Sequence, residues 1–445
     1  MKKKAIFIIC SIILIIMAGF TLSFFDRFSS GEKDQAEIEN DDKDKIQLTF
    51  WRNGGTNLEN KAYKEIISAF ESAHPDIKIN MVSVPYGDYE LRLRTEIAAG
   101  NQPDVMSIDS PNLALYADSG WLLSIDSYMR SEGDLEDIPS ATLEGLIYED
   151  EIYLSPIVES GVALFYNKHL FKKAGLPFPS EDPDNPMTWD EVLEIAKKIN
   201  NPSENVFGID PAQGFSDGES PAYFKMPLLW QFGADVLSPD ATTADGYLNS
   251  NEALEALQFY QDLYQKHKVA AVELPPDPFI TGKLAMTVMG SWSLADFEKN
   301  VPEFKLGEDF GIAPLPKDKN QVVPNGGWSL GISQKSKYPD EAWEFIQYAT
   351  SYEGSKKYVE LTGDIPARYS VSKEFPELQT YPKNIFVQQA QKYSENRPVT
   401  PAYPVVSEAI KKLFEDIGIG GESVESAAAK AVEKINKGLK EKQNP

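Results

Sequence analysis

The stretch "DIKINMVSVPYGDYELRLRTEIAAGNQPDVMSID", residues 76–109, decides the fold. Its first ten residues alternate apolar and polar like a half-buried strand. The middle has helical spacing and is closed by Gly100, and "PDVMSID" is a strand again. Upstream, "IQLTFW" at 46–51 is a further strand, followed by "RNGGT" and a helix carrying Ile66, Ile67 and Phe70 on one face. Strand and helix alternate, which predicts an α/β protein with a mostly parallel sheet wrapped by helices. Such sheets bind ligands beyond the carboxyl ends of their strands.

Downstream, "EIYLSPIVESGVALFYNKHLF" at 151–171 reads as two strands broken at Pro156. Thr188 and Glu191 form a capping box that opens a helix. Further helices are expected over 221–232, 252–267, 338–350 and 408–417, and the terminal "SVESAAAKAVEKINKGLK" is amphipathic. No period of 20 to 50 residues recurs, which excludes a solenoid or propeller.

The 445 residues are 42% hydrophobic and 11% aromatic, enough for a sizeable core, and carry a formal net charge of −25. Nucleic acid and anionic membrane surfaces are poor partners for such a chain, because phosphate contacts need clustered Lys and Arg. Neutral or cationic ligands fit better. Cys10 is the only cysteine, so an internal disulfide and a thiol metal site are excluded, and His74, His169 and His267 are scattered among charged residues. Lys2, Lys3 and Lys4 precede an apolar run over 5–25, about 21 residues or about 31 Å as a helix, enough to cross a bilayer. It reads as an export signal, an anchor, or both. Residues 26–45 are polar and charge-mixed and read as a flexible tether.

Five sets of stretches, in order, carry a resemblance. They are "AAGNQPDVMSID" with "YADSGWLLSID", "SGVALFYNKHLFKKAGL" with "MTWDEVLEIAKKI", "FITGKLAMTVMGSW", "NGGWSLGISQKSKYPDEAWEFIQYATS" and "TGDIPARYSV". The chain resembles the extracellular solute-binding proteins of bacterial ABC importers, in their maltose-binding-like, sugar-binding branch. The resemblance implies a periplasmic-binding-protein-like type II fold, two α/β lobes joined by hinge strands with one sugar in the cleft between them. It places lobe one at 46–156 plus 316–366 and lobe two at 157–315 plus 367–445, with hinges near Pro156, Leu315 and Pro366. It also implies a monomer that meets a carbohydrate and the permease subunits of a transporter, needs no cofactor or metal, and touches the membrane only through its N-terminal segment. One departure stands out. Gram-positive relatives often carry a lipid-modified cysteine at the end of the signal, whereas Cys10 lies inside the apolar run.

A sugar binder needs flat aromatics for the C–H faces and planar hydrogen-bonding groups for the hydroxyls. Trp343 lies on an apolar helix face, and Trp189 and Trp121 occupy structural positions at helix ends. Trp292, Trp328, Trp51 and Trp230 stand where strands or helices run out, Trp328 directly behind the pair Gly326 and Gly327. In the resembled family the position matching Trp292 stacks on the sugar, and a loop like that around Trp51 lines the cleft. Asp109 ends its strand, Asn53 adjoins two glycines, and Glu159 or Ser160 matches an acidic sugar contact. Arg368 could fork onto paired hydroxyls or form an interlobe salt bridge, and Tyr403 stands between two prolines.

Two enzyme readings compete. "GFSDG" at 214–218 matches G-x-S-x-G, but Pro211 and Pro221 bracket it as a loop, and His267 is the only later histidine. A glycoside hydrolase would use a carboxylate pair, and Asp109 with Glu159 could supply one. The resemblance favours binding without catalysis.

Overall fold

A computed structural model describes residues 45–211 and 218–443. The apolar run at 5–25 with Cys10, nearly all of the tether at 26–45, and Ser216 of "GFSDG" lie outside the described residues. Among the described residues, no helix is long and apolar enough to cross a membrane.

The chain builds one sheet, crosses to build a second, and returns. β1 (Ile46–Gly54), α1 (Asn57–Ala73), β2 (Ile77–Pro85), α2 (Tyr86–Ala98) and β3 (Val105–Asp109) form the parallel start, with β1 between its two neighbours. Then come β4 (Ser155–Glu159) in the first sheet and β5 (Val162–Asn167) in the second. The second unit adds α3 (Trp189–Ile199), β6 (Phe207–Asp210), α4 (Ser220–Gln231), α5 (Asn251–Gln265), β7 (Leu284–Gly290), α6 (Trp292–Asn300) and β8 (Phe310–Ala313). The chain re-enters the first sheet through β9 (Gly327–Ile332), α7 (Pro339–Thr350), α8 (Tyr352–Thr362) and β10 (Ile365–Pro366). It ends with α9 (Lys383–Lys392), α10 (Tyr403–Gly418) and α11 (Val424–Gln443).

The first sheet has the order β10-β4-β9-β3-β1-β2 and the second β8-β5-β7-β6, one for each of two α/β lobes. Both are mixed rather than mostly parallel. β9 runs antiparallel to β3 and β4, β10 antiparallel to β4, and β5 antiparallel to β7 and β8. The reason is the route: a strand that returns from the other lobe enters its sheet from the opposite end.

Pro156 does not break a strand. It sits inside β4, where the pairing slips between Ser329 opposite Pro156 and Trp328 opposite Val158, an irregularity that tolerates its missing N–H. The break between the two strands falls at Ser160 and Gly161 instead. α10 also begins five residues before the expected helix, because Pro404 occupies its first turn, where no amide donor is required.

The inner strands β3, β4 and β5 are buried on both faces. In β5, Leu164 and Tyr166 pack into a core with Trp189, Met226, Tyr260 and Phe414, while Ala163 and Phe165 face Phe297, Phe310 and Phe386. This is period-two alternation with both faces apolar, which is why the strand reads as an unbroken hydrophobic run. The first lobe's core gathers Leu48, Phe50, Phe70 and Ile332 under Trp343 and Phe345 of α7. Trp343 and Trp189 are structural as expected, donating their indole N–H groups to Glu132 at 2.8 Å and Gln231 at 2.7 Å.

Candidate functional site

Strand ends from the first sheet and helix starts from the second enclose a cavity of about 310 Å³. Asn53 of β1, Asp109 of β3, Glu159 of β4 and Trp328 of β9 line it from one lobe. Tyr223 and Phe224 of α4 and Trp292 of α6 line it from the other. The position follows from the sheet: strand carboxyl ends leave room for a ligand where the helices diverge.

Trp328 owes its place to the glycine before it. Gly327 has φ +153°, and a Cβ there would stand 2.1 Å from the Val158 carbonyl oxygen, so β9 approaches β4 only without a side chain. The next residue then projects its indole over the strand ends, held edge-on by Tyr86 at 6.3 Å and Tyr89 at 5.8 Å. Trp292, the first residue of α6, is half-buried across the cavity, 6.4 Å from Tyr223 and 6.3 Å from Phe224. The two indoles come from different lobes.

Hydrogen-bonding groups sit between them. Ser107 donates to the Asn53 amide oxygen at 3.2 Å, which leaves the Asn53 NH₂ for other partners. Glu159 and Ser160 are both on the wall. Glu159 is buried, its Oε2 has no hydrogen-bond partner, and burial pushes its carboxyl up to about 8 against the pull of Thr142, the Ser160 and Gly326 amides and Arg397. The Ser160 hydroxyl, at the crossing between the two sheets, pairs with the Tyr223 hydroxyl at 2.8 Å, and the Ser220 hydroxyl donates to the Tyr86 oxygen at 3.3 Å.

Four expected site residues lie elsewhere. Trp51 stands two residues back from Asn53 along β1, about 7 Å short of it. There it packs on the first core under the Arg92 guanidinium, 5.2 Å from its ring. Trp230 is buried in the second core, on a helix with almost every side chain buried. The cavity takes Tyr223 and Phe224, about two turns earlier on the same helix. Arg368 is buried against first-lobe residues, donating to the carbonyls of Thr350 and, at 3.2 Å, Gly133, with Asp137 at 3.7 Å. It acts as a tie between helix ends. Tyr403 is fully buried and donates its hydroxyl to Glu219.

Arg397 was not anticipated. It is 4% exposed and lines the cavity with its guanidinium 5.1 Å from the Tyr223 ring. One nitrogen meets Asp109 at 2.8 Å and the other Glu219 at 3.0 Å, so one cation serves carboxylates from both lobes. Burial raises the Glu219 carboxyl while Arg397 opposes it, and Ser407 donates to the same group at 2.6 Å. Proline follows Arg397 directly, as in other loops, and no local pattern marks the residue. Tyr86, Glu59 and Asp364 also line the cavity without having been anticipated.

Comparison with known proteins agrees with this architecture. Among curated relatives, the maltodextrin-binding protein of Bacillus subtilis is 26% identical over 402 residues, covering 86% of this chain and 89% of that protein. The multiple sugar-binding protein of Streptococcus mutans is 24% identical, covering 67% of this chain and 70% of that one. Among solved structures, an ABC transporter solute-binding protein of Thermotoga lettingae bound with alpha-D-tagatose superposes with a TM-score of 0.77 at 28% identity, covering 88% of this chain and all of that one. The GacH receptor of Streptomyces glaucescens, solved unliganded and with acarbose, gives 0.76 at 25% identity, covering 89% and 99%. The family model for the bacterial extracellular solute-binding proteins matches residues 54–356, more than half of the sequence, and the chain belongs to that family.

Proposed function

We propose that the protein captures a carbohydrate outside the cell, closes its two lobes over it, and presents the closed form to the permease subunits of an ABC importer. The observation that carries this reading is the pairing of Trp292 and Trp328 from opposite lobes across one cavity that also holds Asn53, Glu159 and Ser160. Indoles cover the C–H faces of a sugar ring, and the amide, carboxyl and hydroxyl groups take its edge. The relatives named for maltodextrin and multiple sugars support the same class of ligand.

Closure is driven by contacts that exist only when both lobes touch the ligand. Lobe one is read as 46–156 plus 316–366 and lobe two as 157–315 plus 367–445. The strand sets support this division in outline, since the first sheet draws on 46–159 and 327–366 and the second on 162–313, with the first crossing nearer Ser160 than Pro156. A cavity of about 310 Å³ is at the small end of ligand sites and suits one or two sugar rings of a longer chain. The expected affinity is about −8 kcal/mol, tight enough to capture a nutrient and loose enough to release it. The N-terminal apolar run is read as an uncleaved tether, and a mature N-terminus found after Ser23 would refute that.

Hydrolysis by the Asp109 and Glu159 pair is not favoured, because Asp109 directs both oxygens to Arg397. Titration calorimetry against a panel of mono- and oligosaccharides, with reducing ends assayed alongside, tests the reading. Binding without product supports it; turnover overturns it.

A further inference from the structure

The wall of the cleft carries more acidic than basic side chains. Glu59, Asp109, Glu159 and Asp364 line it, and Arg397, the single basic residue there, is already shared between Asp109 and Glu219. The imbalance is greatest at the end where α1 begins. Glu59 lies in the first turn of that helix, and Gly55 clears its path, since a Cβ at Gly55 would stand 1.5 Å from Glu59 Oε2. Arg52 partly offsets Glu59 at 3.3 Å but also donates to Asn60 at 2.6 Å and lies over the Tyr63 ring at 4.3 Å. Asp364, in the turn between α8 and β10, is 6% exposed. Among the described residues no basic group lies within ion-pair distance of it.

We propose that the carbohydrate held in this cleft carries a protonated amino group, and that Glu59 and Asp364 seat that ammonium beside the indole of Trp292. The inference rests on the carbohydrate reading above and narrows it. Asp364 is buried with no cation at ion-pair distance and half-buried Glu59 has only its share of Arg52, so the two carboxylates repel each other and lose hydration, a cost that a further cation between them lowers. An ammonium brings three N–H donors for the four carboxylate oxygens, and an indole face adds a cation–π contact. Trp292 and Tyr358 line this same end. Glu159 Oε2, buried on the cavity wall without a partner, adds to the excess of acceptors. A neutral hydroxyl can donate a hydrogen bond to either carboxylate, but it brings no positive charge to offset the pair.

That difference is measurable without any mutation. Asp364 is pushed up to about 8, chiefly by burial and then by Glu59, with Lys383 opposing. The other groups around it are Tyr358 of α8, Arg52 of β1, and Asp296 and Lys299 of α6, the last two lining a small neighbouring pocket with it. An ammonium that displaces the proton from Asp364 near neutral pH therefore releases it to buffer, whereas a hydroxyl does not.

The experiment is calorimetric titration of the full chain with matched sets: glucose, glucosamine and N-acetylglucosamine; the three galactose counterparts; and cellobiose with the glucosamine and N-acetylglucosamine β-1,4 dimers. In at least one set the amine should bind about tenfold or more tightly than its hydroxyl and acetamido counterparts, with a heat that differs between phosphate and Tris because a proton leaves. Asp364→Asn should weaken amine binding about tenfold, to the level of the hydroxyl counterpart, and abolish the buffer-dependent heat. If hydroxyl members bind as tightly as amines wherever binding occurs, or no proton is released, the ammonium is overturned and the carbohydrate reading stands. If no member of any set binds, both fall.

Discussion

Asp109 at the end of β3 and Arg397, 288 residues further along the chain, are joined by two hydrogen bonds of 2.8 and 3.4 Å, both buried. The same guanidinium reaches Glu219 at the start of α4, so a strand of the first lobe and a helix of the second hang on one side chain. A buried pair of this kind adds little net stability over a hydrophobic replacement, but removing only the cation strands two carboxylates. Arg397→Met is therefore expected to destabilise the protein by about 3–5 kcal/mol in urea unfolding. The double replacement Arg397→Met with Asp109→Asn should recover part of that loss. If the single variant unfolds like the parent, the cation is not holding the lobes.

The tryptophans separate by role. Trp292 is half-buried on the cavity, whereas Trp230 is 6% exposed inside the second core. Trp292→Ala should leave the unfolding midpoint nearly unchanged and weaken sugar binding about tenfold to a hundredfold in titration calorimetry, as expected when an aromatic platform is lost. Trp230→Ala should do the reverse, costing about 3–5 kcal/mol of stability with affinity kept wherever the protein stays folded. Equal effects of the two on affinity would remove the distinction.

How much of this was readable beforehand depends on whether a feature is local. The β1–α1–β2–α2–β3 run was legible because strand and helix periods are written in neighbouring residues. The antiparallel course of β9 was not, since it comes from the return route between lobes and leaves no mark in "WSLGI". Trp328 and Trp292 could be placed at strand and helix ends because Gly327 and the "MGS" turn announce them. Trp230 also ends a helix, but α4 is buried almost all round, and a helix end says nothing of which neighbours surround it. Arg397 was missed because its partners lie 178 and 288 residues away.

Gly327 makes a sharper structural test. At φ +153° and with Val158 O 2.1 Å from the place of its missing Cβ, alanine can be accommodated only if β9 moves off β4. Gly327→Ala should lower stability by about 1–3 kcal/mol and shift the near-ultraviolet dichroism of Trp328. Gly100→Ala, a substitution at positive φ with nothing within 4 Å, is the control: it carries the backbone strain without the collision. A cost no larger than the control's would show that close strand approach is not what places the indole.

The buried Glu159 carboxyl predicts a particular dependence of stability on pH. Its folded-state value is about 8, against 4.5 for the free side chain, with burial as the main cause. Between these values the folded protein keeps a proton that the unfolded chain has lost. Its contribution is therefore fully present below about pH 4.5 and is lost as pH rises toward about 8. Glu90, raised to about 7, and Asp364, raised to about 8, slope the same way. The ligand-free protein should thus melt at progressively lower temperature from about pH 5 to about pH 8, against the usual behaviour of ion-paired carboxylates. Glu159→Gln holds a neutral side chain throughout, so its melting curve against pH should be flatter and should meet or pass the parent near pH 8. Parallel curves for parent and variant would mean that Glu159 is ionised in the folded state, and that its unpaired oxygen has found a counter-charge.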